Sequence, residues 1–202
     1  MLRTKDGKPV KFVSRPELAP EDEFTYARPD DMSDQGGSWR DVLLRCNANI
    51  DDNQLGLLPA CELYAHAIYQ HLADHLGRER LFVLSAGWGL IGANFLTPDY
   101  DITFSTAASP YNHRKKRDGY ADFSMLSQDT REPILFFGGK DYLPLFLALT
   151  SGLSAPRTVF YTTADTPDVP GGAAVRYGKP FTNWHYPCAK AFLDGDLSYA
   201  AR

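Results

Sequence analysis

The sequence predicts an α/β protein, a three-layer α/β/α sandwich around a short and mainly parallel central sheet. Short apolar runs recur along the chain, and segments with the spacing or the caps of helices separate them. The runs are apolar throughout, which is typical of strands that are covered on both faces. A chain of 202 residues suffices for one domain with a substantial core. We therefore expect a single domain over residues 1–202, in which residues 1–40 supply one strand and a long loop.

The N-terminal segment predicts a strand, a loop and a capped helix. Val10–Val13 is the first apolar run, and the stretch Pro16–Asp34 is rich in proline and acidic residues, which predicts a loop. Ser38 has the chemistry of an N-cap for a helix from Trp39 to about Cys46. Asp41 falls in the first turn of that helix, where a negative charge suits the helix dipole.

The clearest helical pattern follows. Pro59 suits a first turn, and Gly77 is expected to end the helix. Apolar side chains recur every fourth residue between them, at Tyr64, Ile68, Leu72 and Leu76. Leu81–Leu84 then predicts a buried strand that leads into a Ser-Ala-Gly-Trp-Gly turn. A helix followed by a buried strand is typical of a parallel sheet.

The second half repeats this alternation. Ile134–Phe137 predicts a strand that ends in a glycine pair, and Asp141 is expected to cap the helix that follows it, with Pro144 in the first turn. The remaining elements are a strand over Thr158–Tyr161, a loop over Thr162–Gly172 and a last helix from about Pro187 to Phe192. Ligands of such sheets bind where the strands end, so the loops after them should line one site.

Composition narrows the class of protein. No apolar run approaches the roughly 18 residues of a membrane span, and the N-terminus lacks the apolar centre of a signal peptide, so we expect a cytoplasmic protein without a membrane partner. Three cysteines without a CxxC pair argue against a disulfide framework and a zinc ribbon. His71 and His75 are four apart on a helix, but without HExxH they predict no metal site.

A net charge of −4 argues against a protein that coats nucleic acid. One basic run could still contact a DNA backbone, formed by His113, Arg114, Lys115, Lys116 and Arg117. A solvated loop is the alternative interpretation.

Three segments carry the candidate chemistry. The first is the turn that contains Ser85 and Trp88, where two glycines let a backbone approach a ligand while an aromatic face meets it. A flat nucleobase is one partner for such a face. A tight turn with a core tryptophan is the alternative interpretation.

The second segment alternates polar and apolar residues from Asp99 to Ser105, so that Asp99 and Asp101 point one way and Tyr100 the other. A carboxylate there could orient a water molecule or stabilise an oxocarbenium-like sugar. A turn or capping aspartate is the alternative.

The third segment is Phe181–Cys188. Asn183 could hydrogen-bond the edge of a base, and His185 could stabilise a departing base or move a proton. Trp184 and Tyr186 could stack on the base. A histidine that caps the next helix is the alternative, and Cys188 has no evident triad.

Two resemblances follow from these motifs. The stretches LSAGWGLI from Leu84 and PDYDITF from Pro98 resemble the signature of the peroxide-stress (YaaA) family. That resemblance covers roughly Leu58–Ala148 and implies a link to DNA and oxidative damage without specifying a reaction.

The chain also resembles, more loosely, the uracil-DNA glycosylase superfamily. Ile134–Gly139 is similar to its aliphatic strand and glycine turn, and His185-Tyr186-Pro187 is similar to its late histidine motif. The glycine and proline that open the family's early motif are missing, so its aspartate could be Asp30, Asp31 or Asp101, and we favour Asp101.

We therefore predict a monofunctional DNA glycosylase that flips out a damaged or modified base, including a hypermodified viral base in a defence role. Asp101 and His185 are the predicted catalytic residues, and no cofactor or metal is expected. The predicted base contacts are Ser85, Trp88, Asp99, Tyr100, Asn183, Trp184 and Tyr186. We expect a monomer. Two alternatives stay open: a non-catalytic protein that binds DNA or its lesions, and a hydrolase or transferase of free nucleosides or nucleotide-sugars.

Overall fold

A computed structural model describes residues 1–49, 53–64, 66–178 and 181–197. These ranges contain ten strands and five α-helices. The strands are β1 Val10–Phe12, β2 Thr25–Ala27, β3 Leu58–Pro59, β4 Phe82–Ser85, β5 Gly89–Gly92, β6 Leu96–Thr97, β7 Phe123–Ser124, β8 Ile134–Phe136, β9 Arg157–Tyr161 and β10 Gly172–Arg176. The helices are α1 Trp39–Ala48, α2 Ala60–Leu63, α3 Ile68–Leu76, α4 Leu143–Thr150 and α5 His185–Leu193.

The predicted α/β class is confirmed, and the strands of the described ranges form four small sheets. β1 and β2 form a parallel pair, β3 and β6 an antiparallel pair, and β10-β9-β8 a parallel three-stranded sheet. In the fourth sheet, β4-β5-β7, the first pair is antiparallel and the second is parallel. No helix in the described part of the chain is long and apolar enough to cross a membrane.

The N-terminal strand is confirmed, whereas the long loop after it contains a second strand. Thr25–Ala27 lies parallel to β1, with Val10 beside Thr25. The segment that holds the predicted carboxylates lies on the other side of β1, because Phe12 forms a bridge with Tyr100 and its carbonyl accepts from the Asp101 amide at 2.9 Å. A strand whose Val10 and Phe12 are fully buried therefore fixes the position of this segment.

The helix predicted behind Pro59 is divided in two. α2 ends at Leu63 and α3 begins at Ile68; Ala65, between them, lies outside the described residues. Tyr64 has an extended backbone, with φ −92° and ψ 122°. Its hydroxyl group meets that of Tyr100, so a tertiary contact accompanies the break in the pattern. Gly77 ends α3 as predicted, with φ 84°.

The strand predicted at Leu81–Leu84 is confirmed as β4, but its neighbour is antiparallel. The chain reverses directly after Ser85 and returns as β5, which places Val83 opposite Ile91. The expectation of a parallel neighbour is therefore wrong for this strand. A helix before a strand indicates a parallel sheet only where the next connection crosses over.

The second half contains the predicted parallel unit. β8, α4 and β9 follow in order, and Ile134 pairs with Arg157 in parallel. β10, which lies in part within the predicted loop, adds a third parallel strand. Asp141 does not cap α4: the helix begins at Leu143 without a side-chain cap, and the Asp141 carboxylate pairs with Lys116 at 3.1 Å.

Candidate functional site

A cleft of about 1460 Å³ lies between the β4–β5 hairpin, helix α3, strand β8 and the start of α5. Two of the three predicted site regions contribute side chains to its walls, and the strand residues Leu84 and Leu90 on either side of the first region also line it. Five of the protein's 11 tyrosines line it: Tyr64, Tyr69, Tyr100, Tyr142 and Tyr186. The other polar groups of this tyrosine-lined part are Asp99, Thr103, Asn183 and His185, together with the backbone of Gly138 and Gly139.

The Ser-Ala-Gly-Trp-Gly turn forms the rigid support of the cleft. Ser85 is 1% exposed, and its hydroxyl oxygen accepts from the Gly87 amide at 3.1 Å and the Trp88 amide at 3.0 Å. This pair of bonds closes the turn. Gly87 lies so close to the Tyr100 ring that a Cβ would come within 3.2 Å of it. Ser85 is therefore a turn-forming residue beneath the cleft, and it does not line it.

Two buried arginines bind the carbonyl groups of this turn. Arg114 donates to the Ala86 carbonyl at 2.7 Å, and Arg40 donates to the carbonyls of Gly87 at 2.7 Å and Trp88 at 3.1 Å. Both arginines are 4% exposed along their side chains. Three consecutive carbonyl groups are thus satisfied by two cations that lie far from them in sequence.

The Trp88 side chain is buried, which corrects the prediction that it stacks on a ligand. Its exposure is 0%. The ring packs edge-to-face against Phe12 at 5.0 Å between centroids, and the Arg40 guanidinium lies 5.5 Å from it. Trp88 therefore fills the core, as in the alternative interpretation of the sequence, and presents no face to the cleft.

Tyr100 and Tyr186 are the two predicted aromatic residues that line the cleft. The Tyr100 hydroxyl group bonds to that of Tyr64 and interacts with Ser85. Burial raises the pKa of Tyr100 to about 12, although these two hydrogen bonds act in the opposite direction. Burial also raises the pKa of Tyr64 well above its usual value. Both phenols are therefore neutral at physiological pH.

A continuous aromatic wall leads from Tyr64 to the start of α5. Tyr64 stacks on Tyr69 with centroids 4.9 Å apart, and Tyr69 meets the edge of Tyr186 at 6.2 Å. Tyr186 stacks on His66 at 3.8 Å and contacts His185 at 4.2 Å. Burial, and then the proximity of His66, lowers the pKa of His185 below its usual 6.5. His185 is therefore a neutral imidazole at physiological pH.

Of the two neighbouring carboxylates, Asp99 lies at the cleft and Asp101 pairs with a lysine outside it. Asp99 is exposed and lines the cleft beside Tyr100. Asp101 lies outside the lining residues and pairs with Lys11 at 2.8 Å. Its carboxylate is engaged on β1, so the catalytic role predicted for Asp101 passes to Asp99 in the proposal below.

The other two candidate carboxylates have structural partners. Asp30 accepts from the Arg40 guanidinium and from the Ala121 amide at 3.0 Å. Asp31 pairs with Arg28 at 3.1 Å. Neither lines the cleft.

Asn183 lies at the cleft in an unusual backbone conformation. With φ 58°, it is the one residue other than glycine, within the described ranges, that adopts the left-handed region. Its carbonyl accepts from the Tyr186 amide at 3.0 Å, which closes the turn before α5. Trp184 lies outside the lining residues, with its ring 6.3 Å from Tyr177. α5 begins at His185 without a side-chain cap, so the capping alternative for this histidine is wrong.

The basic run is partly neutralised within the protein. Arg114 is 4% exposed and binds Asp122 through two bonds, of 2.9 and 2.6 Å, which corrects its predicted role as a phosphate contact. Lys116 pairs with Asp141 at 3.1 Å. Lys115 and Arg117 are exposed, and His113 is half-buried beside Thr103.

The sequence also offered a histidine pair and a cysteine as candidates for chemistry. The described residues contain no group of three or more histidine, cysteine or acidic side chains arranged to hold a metal ion. Cys188 is fully buried, and burial raises the pKa of its thiol to about 12. It therefore remains protonated and packs in the core.

Sequence reasoning missed three residues of the aromatic wall and its surroundings: His66, Tyr69 and Tyr142. Tyr142 packs edge-to-face with Phe104 at 5.1 Å, and burial raises its pKa. Each occurs singly, within a helix or next to one, and belongs to no recognisable sequence motif. Their clustering depends on the way α3, α4 and α5 approach the hairpin. The sequence feature that could have indicated the aromatic wall is the number of tyrosines, 11 in 202 residues.

Comparisons of the chain with protein-family models, with curated proteins and with solved structures give no match. The family resemblances drawn from the short motifs therefore stay predictions, and the site has to be interpreted from its own chemistry.

Proposed function

We propose that this protein hydrolyses the N-glycosidic bond of a damaged or modified nucleobase in DNA, after the base has entered the tyrosine-lined cleft. The cleft itself is the observation that supports this proposal. Neutral aromatic side chains form its walls, and backbone groups, an amide and a carboxylate converge on it. Flat heterocycles with hydrogen-bonding edges are the ligands that such walls accommodate. The predicted three-layer, glycosylase-like arrangement remains part of this proposal.

Three residues have distinct roles in the proposed reaction. Asp99 is the carboxylate at the cleft, where it orients the attacking water or stabilises the positive charge that develops on the sugar. Asn183 offers an amide donor and acceptor to the edge of the base. His185 is neutral and offers a hydrogen bond to the base as it departs.

An abasic-site assay tests the proposal. Purified protein is incubated with uracil-containing, oxidised, alkylated and hypermodified phage DNA, and alkali then converts abasic sites into strand breaks. We expect breaks on one class of DNA, and we expect Asp99→Asn to reduce their rate by about 100-fold or more. Asp101→Asn is the matched control because it removes a carboxylate two residues away that pairs with Lys11 outside the cleft. Equal activity of wild-type protein and Asp99→Asn would contradict the assigned role, and breaks on no DNA would contradict the function.

The partial neutralisation of the basic run favours a second candidate, hydrolysis of free nucleosides in the same cleft. Arg114 is buried against Asp122 and Lys116 pairs with Asp141, so each would have to leave a carboxylate partner to bind a phosphate. A nucleoside hydrolase would release bases from nucleosides as readily at high salt as at low salt. This candidate is selected if the protein still releases bases from nucleosides after Lys115→Ala and Arg117→Ala and forms no abasic sites in DNA.

A further inference from the structure

We infer that the base bound in the tyrosine-lined cleft carries a positive charge on its ring, as a ring-alkylated purine does. The inference rests on the proposed function and specifies its substrate class. It depends on the charge of the cleft, on its aromatic walls and on the groups that the reaction would need.

The charge of the cleft is the first argument. Where the tyrosines line it, Asp99 is the charged side chain that faces the cavity, and the described lining includes no lysine. Two cations that interact with Asp99 have other partners: the N-terminal ammonium group donates to the Leu55 carbonyl at 2.7 Å, and Lys11 pairs with Asp101 at 2.8 Å. Neither lines the cleft.

The remaining charged groups of the cavity also favour a cation. They belong to the segments around residues 79–80 and 129–132, away from the tyrosine cluster in sequence: Glu79, Arg80, Asp129, Arg131 and Glu132. Arg80 and Glu132 lie 3.3 Å apart and neutralise each other. With Asp99 included, the carboxylates of the cavity outnumber its arginines, four to two. An anionic base would therefore be repelled from the cavity, and a cationic ring would be attracted.

The aromatic wall is the second argument. A cation close to a tyrosine ring is attracted by the negative potential of the ring face, most strongly where water is excluded. The tyrosines of the cleft are half-buried, so the gain per ring is larger than on an open surface. A neutral base stacks on the same rings without this electrostatic gain. The wall therefore favours the charged form of a base over its neutral parent.

The reaction chemistry is the third argument. A neutral purine departs as an anion unless an acid protonates it, and the cleft offers poor acids: burial raises the pKa of Tyr64, Tyr100 and Tyr142, and His185 is already unprotonated. A cationic purine needs no acid. Its C1′–N9 bond breaks, the electron pair passes to N9 and leaves the base neutral, water oxygen bonds to C1′, and a water proton passes to Asp99 or to solvent.

Binding of matched nucleosides tests the inference without depending on catalysis. The probes are 1-methyladenosine and adenosine at neutral pH, and 7-methylguanosine and guanosine in mildly acidic buffer, where the methylated ring is a cation. Calorimetric titration of each measures its affinity. We expect the charged member of each pair to bind about tenfold more tightly, as one or two cation–π contacts and a carboxylate would provide.

Substitutions of cleft residues test whether the preference for a charged base arises in the cleft. Asp99→Asn should reduce the ratio of affinities, and Asp101→Asn, the matched control, should leave it unchanged. Tyr142→Leu should reduce the ratio, whereas Tyr142→Phe keeps the ring and should retain most of it. Circular dichroism of each variant verifies that it folds.

The outcomes distinguish the inference from the proposed function. Equal affinity for charged and neutral members, with abasic sites formed on a DNA that carries neutral modified bases, would overturn the inference and leave the proposed function standing. Failure to bind any nucleoside, together with the absence of abasic sites on every DNA, would overturn both. Charged-base preference that survives Asp99→Asn and Tyr142→Leu alike would place binding outside this cleft and overturn the inference.

Discussion

Arg114 shows how one buried side chain can support a site that it does not touch. Its guanidinium binds both carboxylate oxygens of Asp122 and the Ala86 carbonyl, and it lies 3.9 Å from the Tyr120 ring. The sequence places Arg114 in a basic run, where it resembles its exposed neighbour Lys115. The partner that distinguishes the two, Asp122, is supplied by the fold.

Loss of Arg114 should be strongly destabilising. Arg114→Ala removes both hydrogen bonds to the buried Asp122 and leaves it the longer contact to Arg40, at 3.8 Å. Breaking a buried ion pair in this way costs about 3–5 kcal/mol. Lys115→Ala, at an exposed position, should change stability by less than about 0.5 kcal/mol. Urea unfolding of the two variants measures the difference, and similar midpoints would show that the pair contributes little.

Gly89 has a backbone conformation that the turn requires. Its φ is 89°, and an added Cβ would lie 2.5 Å from the Phe123 carbonyl oxygen of β7. Gly89→Ala should therefore lower the free energy of unfolding by about 1–3 kcal/mol. Gly92→Ala, at the other end of β5, meets no atom within 4 Å and serves as the control. Equal stability of the two variants would contradict the geometry of the turn.

His185 should make the folded protein sensitive to acid. Its pKa in the folded state is lower than the usual 6.5, because of burial first and His66 second, so the unfolded chain binds more protons below that pH. The stabilisation is complete above 6.5 and declines as the pH falls towards the folded-state value. Replacement by phenylalanine should flatten this decline, whereas His71→Gln, an exposed change on α3, should not. Urea midpoints between about pH 7.5 and about pH 5.5 measure the slope.

Among the elements, helix α1 is the one whose start the sequence predicts most directly. Ser38 accepts from the Asp41 amide at 3.2 Å, and the Asp41 carboxylate accepts from the Ser38 amide at 2.8 Å. Both partners are three residues apart, so a local pattern specifies the whole capping box.

Ser38→Ala should remove one half of this box and lower the free energy of unfolding by about 1 kcal/mol. The change should matter beyond the helix, because Arg40 in its first turn binds the carbonyls of Gly87 and Trp88. Ser109→Ala, in an exposed loop, is the control. Chemical denaturation of both variants gives the comparison, and a neutral Ser38→Ala would show that the tertiary contacts of Arg40 alone hold the helix.

Elements whose limits depend on tertiary contacts were predicted less well. The periodic run behind Pro59 is continuous in the sequence, yet the chain leaves the helix near Tyr64, which bonds to Tyr100 36 residues away. β2 and β10 carry no strong strand pattern and form because β1 and β9 offer free edges to pair with. The energy of this pairing depends on the neighbouring strand, so the sequence of the paired segment alone does not predict it.

At the scale of the whole molecule, the cleft brings together residues from the hairpin, α3, the turn after β8 and the start of α5. The general rule that ligands bind at strand ends located these segments. It did not decide which side chains face the cavity. Asp99 and Asp101 differ because Lys11, on a strand far away in sequence, pairs with Asp101.

The charge distribution of the whole molecule predicts a weak salt dependence of DNA binding. Arg114 is buried in an ion pair and the exposed Lys116 pairs with Asp141, so Lys115 and Arg117 are the cations of the run without a carboxylate partner among the described residues. Two phosphate contacts give a slope of about −2 in a plot of log affinity against log salt concentration. Fluorescence anisotropy with a short duplex measures this slope, which Lys115→Ala with Arg117→Ala should bring towards zero. A slope of about −3 or steeper would indicate that Arg114 or Lys116 leaves its carboxylate partner and binds a phosphate as well.

The sequence by itself determined the α/β class, strands β1, β4, β8 and β9, the cap of α1 and the glycine that ends α3. These features depend on interactions between residues close in the chain, or on burial alone. Only the tertiary structure decided that Trp88 is buried, that Asp99 faces the cleft and that Arg114 is an internal ion-pair partner. The first two depend on contacts between residues tens of positions apart, and Arg114 is held by Asp122, eight residues away, and by the Ala86 carbonyl, 28 residues away. No local pattern contains the identity of such a partner.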